Sequence, residues 1–323
     1  MITVAQFATG VETTYGTAVV VDRYYPILEG ESLERRQEVL QPAGLRPTLY
    51  SPLGVNRAIG RHWGEGSVSI EVTTSGFGRR FDHMLGAGTA TQDGTTLAYN
   101  HTYTPGSLVG KSLTVQKAVM TTAGAAQAFT FEGCKIPSWE LKISTNGYCI
   151  LTVDLNAEQI RDDTALGTAN YGTSLPFNFT QAALTKDGTA IAGVTDFAIR
   201  GVNALDVDRW YLGSGGVHAE PVEKNFRGIS GSLTADFIDL TTFYNAFKAD
   251  TSLALVCTFT GGLVDTGKPA LLTVTVADVR FGGETPKITG PGYSVQNVPF
   301  EGYEKAPGGT AIKIQYTTPD TAI

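Results

Sequence analysis

Phe129-Thr130-Phe131-Glu132-Gly133-Cys134-Lys135-Ile136-Pro137-Ser138-Trp139-Glu140-Leu141-Lys142-Ile143, running on to Leu155, is the stretch that decides the reading of this chain. Val274–Phe300 lies beside it at a constant offset of 145 residues, without a gap. Thr130, Lys142, Ile143, Gly147, Tyr148 and Val153 meet the identical Thr275, Lys287, Ile288, Gly292, Tyr293 and Val298. Apolar Phe129, Phe131, Ile136, Ile150 and Leu155 meet apolar Val274, Val276, Phe281, Val295 and Phe300. Self-similarity at a long period marks duplicated structural units. A duplicated β-module without obvious chemistry reads as a building block.

Working outward, the strand signals repeat in order. Ala18–Leu28 is rich in Val, Tyr and Ile. Ser32–Leu40 alternates, but both of its faces are largely polar, so it faces a channel, a partner or solvent rather than two layers of core. Gln41–Trp63 holds Pro42, Pro47 and Pro52 with the basic Arg46, Arg57 and Arg61. Proline breaks strand pairing, and so long a loop in a compact domain is generally functional or bound to a partner. Ser67–Val72 alternates as a strand, and Gly78–Leu85 puts Phe81, Met84 and Leu85 on one face of a short helix. Ser112–Val119 with Ala128–Cys134, and Trp139–Ile143 with Tyr148–Leu155, read as hairpins.

In the second half, Asp196–Gly201 and Val202–Leu212 correspond to Tyr25–Leu40, and Gly231–Phe237 to Gly66–Val72. Asp239–Phe247 has a helical apolar face like that of Phe81–Leu85. Asn156–Leu175 is polar and glycine-containing, the best linker. The order predicts a mainly β chain: a β-sandwich or barrel with a short flanking helix, duplicated in tandem. The expected division is an N-terminal arm over 1–16, a first unit over 17–160, a linker over 161–175, and a second unit over 176–323 that ends in a C-terminal arm.

Composition sets the limits. Charged residues make up 17% of the chain, below the usual ~25%, and glycine is abundant at 38. The net charge of −7 argues against a nucleic-acid-binding surface, which needs a basic patch. Cys134, Cys149 and Cys257 lack C-x-x-C spacing and read as small buried apolar residues. No signal peptide and no apolar run long enough for a membrane helix is evident, so a soluble chain made in a reducing compartment is expected.

Chemical motifs are few. Gly262-Leu263-Val264-Asp265-Thr266-Gly267-Lys268 fits the start of a phosphate-binding loop, but Pro269 stands where a Ser or Thr would hold magnesium, and a strand follows. A glycine-rich hairpin turn is the better reading. His62, His83, His101 and His218 form no paired metal-ligand spacing. Asp206 and Asp208 share a strand face and could act as an acid and base pair, though an exposed acidic strand accounts for them as well. No G-x-S-x-G elbow occurs. No catalytic, metal or cofactor residue is assigned, and no cofactor is expected.

Several runs resemble the tail tube (major tail) proteins of long-tailed bacteriophages, especially those infecting actinobacteria. They are Glu12-Thr13-Thr14-Tyr15-Gly16-Thr17, Tyr24-Tyr25-Pro26-Ile27-Leu28 leading into Glu31-Ser32-Leu33, and His101-Thr102-Tyr103 before Ser112-Leu113-Thr114-Val115-Gln116. Phe129–Leu141 is the fourth. The resemblance implies a non-enzymatic virion protein whose β-sandwich oligomerises into rings. Each fold gives strands to an inner barrel, and the stacked rings form a tube for genome ejection. It implies ring-to-ring contacts through the Gln41–Trp63 loop, with Arg46, Tyr50, Arg57 and Arg61, and through the Met1–Gly16 arm. Most such proteins carry one fold and form hexamers; two folds per chain imply a trimeric, pseudo-hexameric ring. A tape measure protein in the lumen and the tail terminator and distal tail proteins are the implied partners, with DNA in transit. The implied location is the virion tail, assembled in the host cytoplasm. Glu31, Glu34, Glu38, Asp206 and Asp208 are the candidate lumen or ring-contact carboxylates, since an acidic lumen repels phosphates. Two readings stay open beside this one: another self-assembling virion β-protein, such as a decoration or pilus-like subunit, and a carbohydrate-binding or carbohydrate-active β-sandwich.

Overall fold

The structure is a computed structural model and describes residues 6–44, 46–47, 50–283, 285–286 and 291–323. Met1–Ala5 of the expected arm, Leu45, Thr48 and Leu49 of the long loop, and Lys287 and Ile288 of the repeat lie outside the described residues.

The first half contributes β1 (Gln6–Glu12), β2 (Arg23–Tyr24), β3 (Glu34–Leu40), β4 (Ala58–Glu71), helix α1 (Gly78–Leu85), β5 (Gly86–Gln92), β6 (Tyr99–Pro105), β7 (Ser112–Met120), β8 (Ala126–Cys134), β9 (Ser138–Ser144), β10 (Ile150–Ala157) and β11 (Gln159–Arg161). The second contributes β12 (Ala182–Lys186), β13 (Thr189–Ala190), β14 (Val194–Val202), β15 (Leu205–Asp206), β16 (Val222–Glu223), β17 (Gly228–Asp236), helix α2 (Tyr244–Lys248), β18 (Leu253–Asp265), β19 (Lys268–Phe281), β20 (Val295–Tyr303) and β21 (Ile312–Thr318). The chain is mainly β, as its composition and alternation indicate, and its sheets are open rather than closed into a barrel.

One long sheet runs β13-β12-β18-β19-β20-β17-β14-β9-β10-β4-β3. A second layer, β11-β8-β7-β1-β2, covers its first-half end. Between them lies a contiguous core. Phe7, Leu113, Val115 and Phe131 of the outer layer belong to the same apolar cluster as Leu33, Val68, Leu151 and Trp139 of the long sheet. The cluster continues into the second half through Ile199, Leu233, Val276 and Phe300. Alternation explains the layering: in β10, Leu151, Val153 and Leu155 are buried while Thr152 and Asp154 are half-exposed.

The strand registers of the two halves correspond. In the first half β10 pairs with β4 so that Leu155 lies opposite Gly66; in the second β20 pairs with β17 so that Phe300 lies opposite Gly231. These are the partners that the sequence comparison aligned. Lys135 opposite Asn156 recurs, at the same offset, as Arg280 opposite Glu301.

Several local expectations shift. Val202–Leu212 is not one strand. β14 ends at Val202, and Ala204 then takes a positive φ of 50°, which interrupts extended pairing. The true counterpart of Arg200, which lies opposite Ser230, is Glu34, which lies opposite Glu65. Ala58–Trp63, expected in the long loop, is strand, because no proline stands between Pro52 and Trp63 and Leu40 pairs with Ala58. Asp239–Phe247 is helical only from Tyr244. Its start is a turn in which the Asp239 carboxylate accepts from the Thr241 and Thr242 amides. The Asn156–Leu175 stretch begins as strand, with β11 pairing to β8 before it becomes irregular. The Gly262–Lys268 run is the tip of the β18–β19 hairpin: Gly262–Asp265 ends β18, Thr266-Gly267 makes the turn with Gly267 at φ 71°, and Lys268 opens β19. All three cysteines are free and buried, and burial pushes their thiols up, that of Cys257 to about 12.

Candidate functional site

The two halves meet strand to strand. β9 of the first pairs antiparallel with β14 of the second, from Ser144 opposite Asp196 to Ser138 opposite Val202. Gly201 lies opposite Trp139, where a Cβ would stand 2.3 Å from the indole, so only glycine fits this crossing of the seam. The result is one continuous wall, β20-β17-β14-β9-β10-β4-β3, built from both halves.

That wall has an apolar face in the core and a polar face opposite. A single row of directly opposed residues crosses it: Arg280, Glu301, Ser230, Arg200, Glu140, Thr152 and Ser69. Rows on either side add Glu34, Glu65, Glu71, Asp154, Asp196 and Asp236, against Arg36 and Lys142. Carboxylates therefore outnumber cations on this face, and hydroxyls fill the positions between. Between Glu140, Arg200, Ser230, Arg280, Pro299 and Glu301 the face is hollowed by a depression of about 540 Å³.

The residues singled out from sequence are distributed around this wall. Glu34 is exposed on the polar face and pairs with Arg36 at 2.9 Å. Glu31 is turned away, its carboxylate 3.0 Å from the Lys117 ammonium. Glu38 lines a cleft of about 200 Å³ with Arg61, Trp63, Glu65, Asp208 and Trp210. In that cleft Arg61 lies 3.6 Å from Asp208 and 5.2 Å from the Trp210 ring, and Trp210 packs edge-on against Trp63. Asp206 accepts from Lys224 at 3.0 Å, a contact that lowers its pKa. Arg46, Tyr50 and Arg57 are exposed, and Tyr50 is 99% accessible. The structure thus brings Glu38, Arg61 and Asp208 together, and leaves the others apart.

Sequence reading missed most of the polar face. The signal was present as alternation: Glu65, Ser67, Ser69 and Glu71 occupy every second place in β4, opposite buried Val68 and Ile70. It also missed the segment 203–227, which folds back across the first half as a strap. The His62 amide donates to Gly216 O, the Lys135 ammonium to Pro221 O, and the Leu108 and Gly110 amides to Glu223 and Glu220. Lys135, almost fully buried, also forms an ion pair with Glu220. The strap's His218 is buried, 3.2 Å from Ala157 O and 3.4 Å from the Tyr15 hydroxyl.

Gln6–Glu12, expected in the N-terminal arm, is instead the strand β1, paired with β7 along its length because Phe7 and Ala8 are buried, and its end is anchored by Glu12. Its buried carboxylate accepts from Ser112, Thr114, Gly133 and Gly16. Nearby Glu158 is pushed up to about 7 by burial, with Glu12 and Glu132 adding to the shift. No cluster of metal-ligating side chains occurs among the described residues, and no helix is long and apolar enough to cross a membrane.

The wall is continuous across both halves, and its polar face is rich in hydroxyls and carboxylates. The family model described as phage tail tube protein matches residues 3–302, and the chain belongs to that family. It is a structural protein of the phage virion tail. No curated protein sequence matches the chain.

Proposed function

We propose that this chain closes into rings, that the rings stack into the tail tube, and that the polar face of the shared wall lines the lumen through which the genome is ejected. The β9–β14 seam carries the reading, because two halves with matching registers already pair as neighbours around a ring would. Each half is then one tube fold, 17–160 and 176–323 around the linker 161–175, and three chains complete a pseudo-sixfold ring. Heterologous contacts that close give rings, and closure removes exposed strand edges. A lumen in which carboxylates outnumber cations repels phosphates and lets DNA slide.

Among the carboxylates selected from sequence, Glu34 serves the lumen, while Glu31, Glu38, Asp206 and Asp208 serve contacts at the ring's rim. The loop bearing Arg46, Tyr50 and Arg57, with Arg61 of β4 beside it, contacts adjoining rings, whereas Gln6–Glu12 of the expected arm is taken up in the buried strand β1. The chain performs no catalysis. It assembles in the host cytoplasm around a tape measure protein, between the tail terminator and distal tail proteins.

Negative-stain microscopy of the purified protein is the test. Long hollow tubes are expected, with cross-sections of three repeating chains; cross-sections of six chains would refute the tandem count. Monodisperse monomers, shells or thin fibres would overturn the tube reading itself.

A further inference from the structure

The cleft that holds Glu38, about 200 Å³, adjoins a second hollow of about 430 Å³. Glu65, Asn156 and Val207 line both, so the two form one trough on the polar face of β4 and β10. The strap supplies the other side with Val207, Asp208 and Trp210. Trp210 is held in place by His218, whose ring meets it edge-on at 5.4 Å. β3 and β4 lose register between Gln37 and Val39, so Gly60 and Arg61 together face Glu38. A bulge re-aims side chains, and this one gathers Glu38 and Arg61 at the cleft. Four carboxylates line the trough, Glu38, Glu65, Asp154 and Asp208, against the guanidinium of Arg61. Glu65 accepts from the Trp63 indole at 3.1 Å, Asp154 accepts from the Ser138 hydroxyl, and Asp208 lies 3.6 Å from Arg61. A second observation points to a ligand. Asn156 is 5% exposed, yet its amide oxygen has no hydrogen-bond partner. An orphaned buried acceptor is costly unless something donates to it. The corresponding places of the second half hold Gly228 for Trp63, Ser230 for Glu65 and Glu301 for Asn156. The trough is therefore not a by-product of the repeated fold.

We propose that this trough is a binding site for a small organic polycation, an alkylamine with two or more ammonium groups. Carboxylates and an orphaned amide oxygen call for N–H donors, and indoles favour a cation beside them. Arg61 already lies 5.2 Å from the Trp210 ring, so this surface holds one cation against an indole. A single small ion would answer one hollow only. A chain with ammonium groups at intervals answers both. One group sits near Glu38 and Asp208 beside the indoles, and the next sits by Asp154. The Asn156 oxygen lies at the junction, and the methylenes between the ammonium groups run along the apolar Val207. The site is complete within one chain and does not depend on ring formation. On the tube reading, which this consequence alone requires, the bound amine offsets the charge of Glu38 and Asp208 where rims meet.

Titration calorimetry of the full chain with spermidine tests this, against magnesium chloride at matched ionic strength. Spermidine should bind saturably. Glu38→Gln/Asp208→Asn should weaken it about tenfold, the sum of two exposed ion pairs. Asp163→Asn/Glu304→Gln removes the same charge at exposed places outside the trough and should leave binding unchanged. Equal binding of magnesium, or equal weakening in both double variants, would reduce the effect to diffuse charge and overturn the proposal. Binding of N-acetyl-lysine amide in preference to spermidine would give the trough to a protein side chain and overturn it too. If the first double variant fails to fold, acrylamide quenching of the unmodified chain decides. Spermidine should shield the half-buried Trp63 and Trp210, the third tryptophan, Trp139, being buried already, and unchanged quenching would sink the proposal. These readouts need no rings, so their failure leaves the tube reading standing.

Discussion

The segment 41–57 and the segment 203–227 occupy the same place in the two halves, one between β3 and β4, the other between β14 and β17. They behave differently. The second lies against its own chain, with His218 buried and Glu220 paired to a buried lysine. The first presents Tyr50 and Val55 to solvent, at 99% and 88% accessibility. Composition does not explain this, since the strap also exposes Leu212 and Phe226. Position does. The strap follows β14, whose outer neighbour β9 belongs to the same chain; the loop follows β3, which ends the sheet among the described residues. A segment folds back where the chain supplies a surface across the seam.

The sharpest way to break the contrast is to release the strap. Glu220→Ala leaves Lys135 buried without its carboxylate, a change that typically costs 3–5 kcal/mol. The Leu108 and Pro221 carbonyls still accept from Lys135, so a loss of about 3 kcal/mol, the lower end of that range, is expected in urea unfolding. Arg57→Ala in the other segment should shift stability by less than about 0.5 kcal/mol. Equal effects would show that both segments are loosely held.

A second, smaller effect comes from pH. Burial lowers the His218 pKa below its ordinary value of 6.5. The unfolded chain then binds the proton that the folded strap refuses. The contribution of His218 to stability is complete above about pH 6.5 and falls as pH drops toward the depressed folded value. His83 and His101 are also lowered by burial, so the informative quantity is a difference. The drop in melting temperature from pH 7.5 to pH 5 should be smaller in His218→Gln than in the unmodified chain. An identical drop in both would remove His218 from the strap's energetics.

The sequence made the mainly β fold, the hairpin positions, α1 and the buried cysteines legible, because each has a local signal in alternation, helical spacing or residue type. The seam was not legible. Nothing local tells Trp139–Ile143 that its outer neighbour is Phe197–Gly201, and the glycine that admits Trp139 reads as any other glycine. The strap was misread for a related reason. Val202–Leu212 alternates well enough to look like a strand, but Asn203 and Ala204 turn the backbone, and the buried place of His218 and the half-buried place of Glu220 depend on groups more than 60 positions away, at Ala157 and Lys135. Of the chosen carboxylates Glu34 stood on the wall's polar face and Glu38 in the cleft beside Glu65 of that face. The rest of that face lay in strands whose polar residues looked like ordinary solvent-facing alternation.

The last contrast concerns what the exposed segment is for. Tyr50 touches little of its own chain, so Tyr50→Ser should leave folding stability within about 0.5 kcal/mol. If Tyr50 is a contact between rings, it is an aromatic anchor of the kind that carries about 2 kcal/mol at an interface. The critical concentration for tube formation, read by light scattering, should then rise roughly 30-fold, since 1.36 kcal/mol is a factor of ten. Leu212→Ser is the matching change on the strap, at a side chain that is likewise fully exposed. A large effect at Tyr50 with a small one at Leu212 means that alternate positions around the ring grip the next ring unequally. Equal effects mean that strap and loop both reach it, and the asymmetry is confined to the single chain. No effect at either would place the stacking contacts elsewhere.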